Sequence, residues 1–263
     1  MFIFEFDLDT MTTKTGSLIV DKITTPAEIP RISRPRLLAL LEQSLASCTS
    51  TVVSGRAGTG KTALAVDFAR NCGRRVAWYK VDAPECELKI FFQYLIASIQ
   101  TQRPDFGKKA LMPAARTAQL DQIPLLAEAF VYELAEGESK PLLMVIEDLH
   151  LVCDSEWLVP FLGRLLPLLP PEVHVLITSR TMPPAPLWRM RSKQTLSVID
   201  EQVLAFTMHE AVELFESYGL SSQQANISLD HAHGRAAALM GFAATLSNHN
   251  DGEASQCMQP SAG

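Results

Sequence analysis

Gly55-Arg56-Ala57-Gly58-Thr59-Gly60-Lys61-Thr62 is the stretch that decides the fold of this chain. It matches G-x-x-x-x-G-K-[ST]. Glycines let such a loop curl until consecutive backbone N–H groups point inward and hold phosphate oxygens. A helix starting at the loop's end adds the positive end of its dipole. Lys61 brings a cation to the β- and γ-phosphates, and Thr62 offers a hydroxyl ligand to Mg²⁺. The motif needs a strand before it and a helix after it. Residues 51–53 are a short β-branched run, and residues 63–71 have helical periodicity that Gly73 closes.

Further along, residues 142–146 form an unbroken apolar run that reads as a buried strand, and it ends in Glu147-Asp148. In enzymes with this loop, one carboxylate at such a strand end holds the Mg²⁺ shell and a second can orient water. Mg²⁺ keeps several waters, so either acid can serve. Thr62 and Asp148 are the first metal candidates, with Glu147 as the alternative. His150 reads as a packing residue. Residues 173–178 (VHVLIT) are another strand, followed by Ser179-Arg180. If this strand lies between the loop strand and the acidic strand, Arg180 stands beside the γ-phosphate and can sense it through charged hydrogen bonds. Glu147, Asp148 and Arg180 are therefore the catalytic candidates. Arg189, Arg191 and Lys193 read as solvated.

The remaining pattern alternates in the same way. Helical spacing covers residues 34–47, with Pro35 in the first turn. Residues 75–81 read as a strand, 87–100 and 119–135 as helices, and 195–199 as a fifth strand. Asp154 is a candidate cap for a helix running to about residue 169. Residues 102–116 and 181–194 read as loops. Alternating strands and helices imply an α/β fold, a P-loop NTPase with a five-stranded, mostly parallel sheet flanked by helices. After Asp200 only helices follow. Thr207 and Glu210 make a capping box, and two further helices, 222–233 and 235–247, are split by Gly234. The expected organisation is a leader (1–30), partly disordered; a nucleotide-binding domain (31–200); a small helical lid (201–248); and a disordered tail (249–263). Met11 is an alternative start.

The 263 residues are 47% hydrophobic and 20% charged, which excludes a disordered chain or a fibre. The longest apolar runs, such as residues 142–146, fall far below the ~18 residues of a membrane span. The net charge of −6 argues against nucleic-acid binding as the main task. Five scattered cysteines without a CxxC pair read as reduced thiols. The N-terminus has no basic region ahead of its apolar residues and does not read as a signal peptide. A cytoplasmic location is expected.

The order of motifs resembles the nucleotide-binding module of the STAND ATPases, signal-transduction ATPases with numerous domains, in the MalT-like branch of large LuxR-type transcription regulators. Besides the phosphate loop and residues 145–152, the resemblance rests on Ala77-Trp78-Tyr79-Lys80-Val81-Asp82 and on Leu204-Ala205-Phe206-Thr207 leading into Glu210-Ala211. It also includes Ile32-Ser33-Arg34-Pro35, similar to the segment that lies against adenine in that family, so Ile32 and Arg34 join the cofactor-binding candidates. The resemblance implies an ATP/ADP-dependent switch that uses Mg²⁺. Two departures stand out. The family commonly has Asp at the position of Glu147, so slow hydrolysis is expected. It usually has Gly-Trp near the third lid helix, where this chain has Gly234-Arg235. Relatives continue into a winged helix, a helical-repeat sensor and a helix-turn-helix. This chain stops after the lid and reads as a stand-alone module, a degenerate relative or a truncated gene product, with no direct DNA binding and no membrane contact, acting through a protein partner such as a regulator or a full-length relative. A small-molecule kinase and a non-hydrolysing interaction module are the alternatives.

Overall fold

The computed structural model describes residues 18–256, apart from 109–110, 137–139 and 194. The expectations for residues 1–17, including Met11, and for residues 257–263 lie outside the described residues.

Five strands make one parallel sheet: β1 (Ser50–Ser54), β2 (Arg75–Lys80), β3 (Leu142–Glu147), β4 (Val173–Ser179) and β5 (Leu196–Ile199). Their order is β2-β3-β4-β1-β5. Every pair is parallel, with Val53 opposite Thr178 and Met144 opposite Val175. β4 thus lies between the loop strand β1 and the acidic strand β3, as expected.

Both faces of the sheet are covered, which explains the unbroken apolar strands. Successive residues point to opposite faces. Val52, Met144, Ile146 and Ile177 meet α3 (Leu88–Gln100), α5 (Ile123–Glu136) and α6 (Leu158–Leu168). The rings of Phe91, Phe92, Phe130 and Phe161 interlock there, with Phe92 and Phe161 centroids 4.8 Å apart. Val53, Leu143, Val145 and Leu176 meet α1 (Pro35–Ser47) and α2 (Lys61–Asn71) instead. Burying one such side chain contributes about 1.5–3 kcal/mol, so the two layers hold the strand ends firmly.

One polar group crosses the apolar pattern. His174 on β4 is only 2% exposed. Its Nδ1 faces the Cys48 carbonyl at 3.2 Å and its Nε2 faces Thr51 Oγ1 at 2.9 Å. A carbonyl only accepts, so Nδ1 carries the proton and Nε2 accepts from Thr51. Thr51 Oγ1 in turn accepts from Ser44 Oγ at 2.6 Å. The chain of bonds ties α1, β1 and β4 together and is complete with a neutral ring. Burial pushes the His174 pKa down to about 4.

Several local expectations change. Residues 102–116 contain a helix, α4 (Leu111–Thr117), where a polar connection was expected. Leu111 and Ala115, four apart, are buried, and Pro113 falls in the first turn, where no intrahelical bond is lost. Residues 181–194 are also helical in part, in α7 (Ala185–Trp188) and a 3₁₀ stretch from Arg189 to Lys193, because Leu187 and Met190 anchor in the core. Asp154 does not cap α6; the cap position is Trp157, with no side-chain bond. The leader is docked from residue 18 onward. Lys22 Nζ donates to buried Glu85 at 2.6 Å and lies 5.1 Å from the Tyr94 ring.

Four helices follow β5 where a lid was expected: α8 (Glu201–Leu204), α9 (Met208–Glu216), α10 (Ser222–Ala232) and α11 (Ala236–Gln256). Thr207 and Glu210 form the expected capping box on α9. Gly234, at φ +72°, makes the break between α10 and α11; a Cβ there would lie 2.9 Å from Ala205 Cβ. α11 runs past residue 248, the expected last residue before the tail. Among the described residues, no helix is long and apolar enough to cross a membrane.

Candidate functional site

The phosphate loop joins β1 to α2. Gly58 and Gly60 take φ of +77° and +91°, the left-handed region that glycine enters freely. The Lys61 ammonium spans the loop, donating to the carbonyls of Gly55 at 2.6 Å and Arg56 at 2.9 Å. Burial lowers the Lys61 pKa, while the Asp148 carboxylate acts in the opposite direction. Thr59 Oγ1 donates to the Arg56 carbonyl, which fixes the curl.

The acidic strand end meets this loop. Thr62 Oγ1 donates to Glu147 Oε1 at 2.5 Å, and Trp78 Nε1 donates to Glu147 Oε2 at 3.3 Å. Glu147 is only 2% exposed. Asp148 takes φ +60°, a left-handed conformation for a non-glycine residue. Its N–H donates to Thr178 Oγ1 at 3.1 Å. β3 therefore breaks between the two acids, and only the first is bonded to Thr62. His150 Nδ1 lies 3.8 Å from Asp148 Oδ1 and has no hydrogen-bond partner. Arg180 follows β4 directly and lies near enough for its charge to depress the proton affinity of both Lys61 and His150. The geometry thus gathers Lys61, Thr62, Glu147, Asp148 and Arg180. It also adds two residues that sequence reading did not single out for the site. Thr178 looked like strand filling, and His150 looked like packing.

Hard oxygen donors of this kind suit Mg²⁺. The loop suits phosphate as well. A Cβ on Gly58 would fall 2.8 Å from Ala237 Cβ, so its backbone has no room for a side chain. The residues present fit a nucleotide and its metal.

The lid rests on the loop. Ala237 N–H donates to the Gly58 carbonyl at 2.9 Å. Arg235 Nη2 donates to the Ala57 carbonyl at 3.1 Å, so the residue that departs from the family's Gly-Trp is itself in contact with the phosphate loop. Arg56 is turned toward the lid. Its N–H donates to Glu201 Oε2 at 3.0 Å and its Nε to Glu201 Oε1 at 2.8 Å.

Between sheet domain and lid lies a cleft of about 580 Å³, within the usual range for small-molecule sites. Gly60 and Thr62 of the loop line it, together with Ile32, Asp67, Phe206, Tyr218 and Met240. Arg34 also lines it, but most of its guanidinium is committed elsewhere. Nη1 donates to Leu204 O at 2.9 Å, and Nη2 to Ala205 O at 3.0 Å and Glu210 Oε2 at 2.8 Å. The guanidinium also lies 4.1 Å from the Phe206 ring centroid. Burial alone would raise the Glu210 pKa, but hydrogen bonds from Arg34, the Thr207 N–H and Arg36 bring it down to about 2. Arg31 repeats the theme, bonded to Ser217 and stacked 3.7 Å from the Tyr218 centroid. Residues 31–36 thus strap the lid to the sheet domain as well as lining the cleft.

Comparison with known proteins agrees with this architecture. The family described as AAA ATPase domain matches residues 34–177. The HTH-type transcriptional regulator MalT of Serratia proteamaculans (strain 568) is 30% identical over 240 residues, covering 89% of this chain and 26% of that protein. MalT of Yersinia pestis (strain Pestoides F) is 30% identical over 203 residues, covering 76% of this chain and 22% of that protein. The chain spans about a quarter of the length of these curated relatives. Among solved structures, a STAND protein with a tetratricopeptide repeat sensor from Pyrococcus horikoshii shares the fold. Its TM-score is 0.54 at 17% identity, over 82% of this chain and 30% of that one.

Proposed function

The chain belongs to the AAA ATPase domain family, and from that premise we propose that it is an ATP/ADP-binding switch module of MalT-like STAND type with slow, Mg²⁺-dependent hydrolysis. One observation supports the reading: the glycine loop, whose Thr62 is bonded to Glu147, borders a cleft that the C-terminal helices also line, with α11 bonded to the loop at Gly58.

In this reading the loop N–H groups and Lys61 bind the phosphates, and the base lies toward Ile32. Thr62 and Glu147 would hold Mg²⁺, which when bound neutralises charge on the phosphate oxygens. Glu147 supplies the same charge as the aspartate common in the family, and its extra methylene is accommodated by the Trp78 hydrogen bond. Asp148, held apart from Thr62 by the backbone break, orients the attacking water. His150 stands behind it, and the Arg180 guanidinium meets the γ-phosphate. A ligand moves a conformational equilibrium only through contacts that differ between its states. ATP and ADP differ by one phosphate, so Arg180 is the group that tells them apart, and the lid contacts on residues 56–58 carry the difference outward. A transcription-regulatory setting and a protein partner are carried over from the MalT relatives as part of the same proposal.

Arg180→Ala tests the switch. Loss of one charged hydrogen bond corresponds to roughly 10- to 150-fold in affinity. ATP binding should weaken by about that factor and ADP binding much less, read by titration calorimetry. Equal loss for both nucleotides would mark Arg180 as structural, and no loss for either would leave the switch without its sensor.

A further inference from the structure

The phosphate end of the cleft is occupied by groups the proposed function already uses. The cleft is also lined by a charged residue that this function does not use. Asp67 lies on α2, five residues beyond Thr62, which places it about 7.5 Å further along the helix axis. It lines the cleft and is only 8% exposed. An ionised carboxylate seldom sits so deep without partners. Here it has two: Ser33 Oγ donates to Oδ2 at 2.7 Å, and Asn71 Nδ2 donates to Oδ1 at 3.0 Å. A carboxylate has about four lone-pair sites, so each oxygen keeps one acceptor position. Apolar Ile32, Val66, Leu214 and Met240 line the same cleft, and of its other charged lining residues Arg31 and Arg34 are bonded to Ser217, Leu204, Ala205 and Glu210.

We propose that Asp67 is the base-selecting residue of this cleft, its carboxylate accepting a hydrogen bond from the exocyclic amine of adenine and rejecting the oxo group that hypoxanthine or guanine carries at the same carbon. The inference rests on the nucleotide reading above and adds to it the residue that selects the base. Adenine offers a donor to an acceptor-only group. An oxo group offers lone pairs to lone pairs, against a carboxylate that is only 8% exposed. The Ser33 and Asn71 bonds hold the carboxylate in one orientation, so it cannot turn away. Ser33 also belongs to the 31–36 strap, which joins base recognition to the segment that fastens the lid.

Asp67 could instead be only an anchor for Ser33, and the test must separate the two roles. The measurement is the affinity of ADP, IDP and GDP for the full chain and for Asp67→Asn, by titration calorimetry. Asn71 can still donate to the Asn side-chain oxygen and Ser33 Oγ can accept one amide hydrogen, so the fold is retained, while the second amide N–H now provides a donor to the cleft. The wild type should bind ADP about 10- to 100-fold more tightly than IDP or GDP. In Asp67→Asn that ratio should shrink at least about fivefold, with IDP binding gained in absolute terms. An anchor would change all three affinities together and leave the ratio alone, which overturns the proposal. So would a wild type that prefers GDP or IDP, since the base would then present a different edge. If Asp67→Asn fails to fold, the wild-type ratio and Asp67→Glu, which keeps the charge and displaces the oxygens, decide it. Selectivity retained in full by Asp67→Glu would contradict a position-specific contact. Failure of every nucleotide to bind the wild type would instead strike the nucleotide reading itself.

Discussion

Two adjacent acids, Glu147 and Asp148, illustrate what single residues reveal and conceal. Their place at the end of an apolar strand was legible, because five apolar residues followed by two carboxylates is a strong pattern. Their division of labour was not. Neighbours on a strand point to opposite sides, and nothing in the sequence says which side faces Thr62. The hydrogen bond from Thr62 to Glu147 and the left-handed backbone at Asp148 separate them. Different consequences follow for the two isosteric amides. Glu147→Gln should reduce the gain in ATP affinity that Mg²⁺ confers by about tenfold or more, measured by titrating ATP with and without the metal. Asp148→Asn should bind ATP normally and release no phosphate above background. The reverse assignment, with Asp148→Asn losing the metal effect and Glu147→Gln only turnover, would exchange their roles.

At the scale of elements, strands were read more securely than short helices. Unbroken apolar runs between helical segments fit only strands buried on both faces, and all five were found within a residue or two of their expected ends. α4 and α7 were missed because seven and four residues are too few to display a 3.6-residue period. Only their tertiary anchors, Leu111 and Leu187, make them helices. His174 was equally opaque, a polar residue inside an apolar strand whose partners come from residues more than a hundred positions away. It carries a pH signature. The folded ring resists protonation until about pH 4, whereas an unfolded histidine accepts a proton near pH 6.5. The unfolded state therefore binds more protons between these values, and stability falls as pH falls through that window. The loss is on the order of 3 kcal/mol by pH 4. Urea unfolding of wild type and His174→Gln at pH 7 and 4.5 should show a steeper loss in the wild type. Equal pH slopes would mean that His174 is hydrated or already charged in the fold.

In the molecule as a whole, the sheet with its helices and the C-terminal helices of the proposed lid meet across one cleft. Each half was legible: alternating strands and helices for the first, a capping box and helix-only pattern for the second. Their joint was not. Arg34 meets Glu210, and Arg56 meets Glu201, across sequence separations of 176 and 145. Sequence reading saw Glu210 as a helix cap and Arg56 as a phosphate-loop residue, each correct in part. Only the folded chain shows that the same side chains hold lid to loop. That arrangement makes a whole-molecule claim: nucleotide binds in the cleft, with its phosphates on Lys61. Titration calorimetry of Mg²⁺–ATP and of ADP into wild type and Lys61→Ala tests it most directly. Saturable binding of both nucleotides is expected in the wild type, weakened roughly 10- to 150-fold or more in Lys61→Ala with the fold retained. Equal affinity in the two proteins, or no binding by the wild type, would contradict the account.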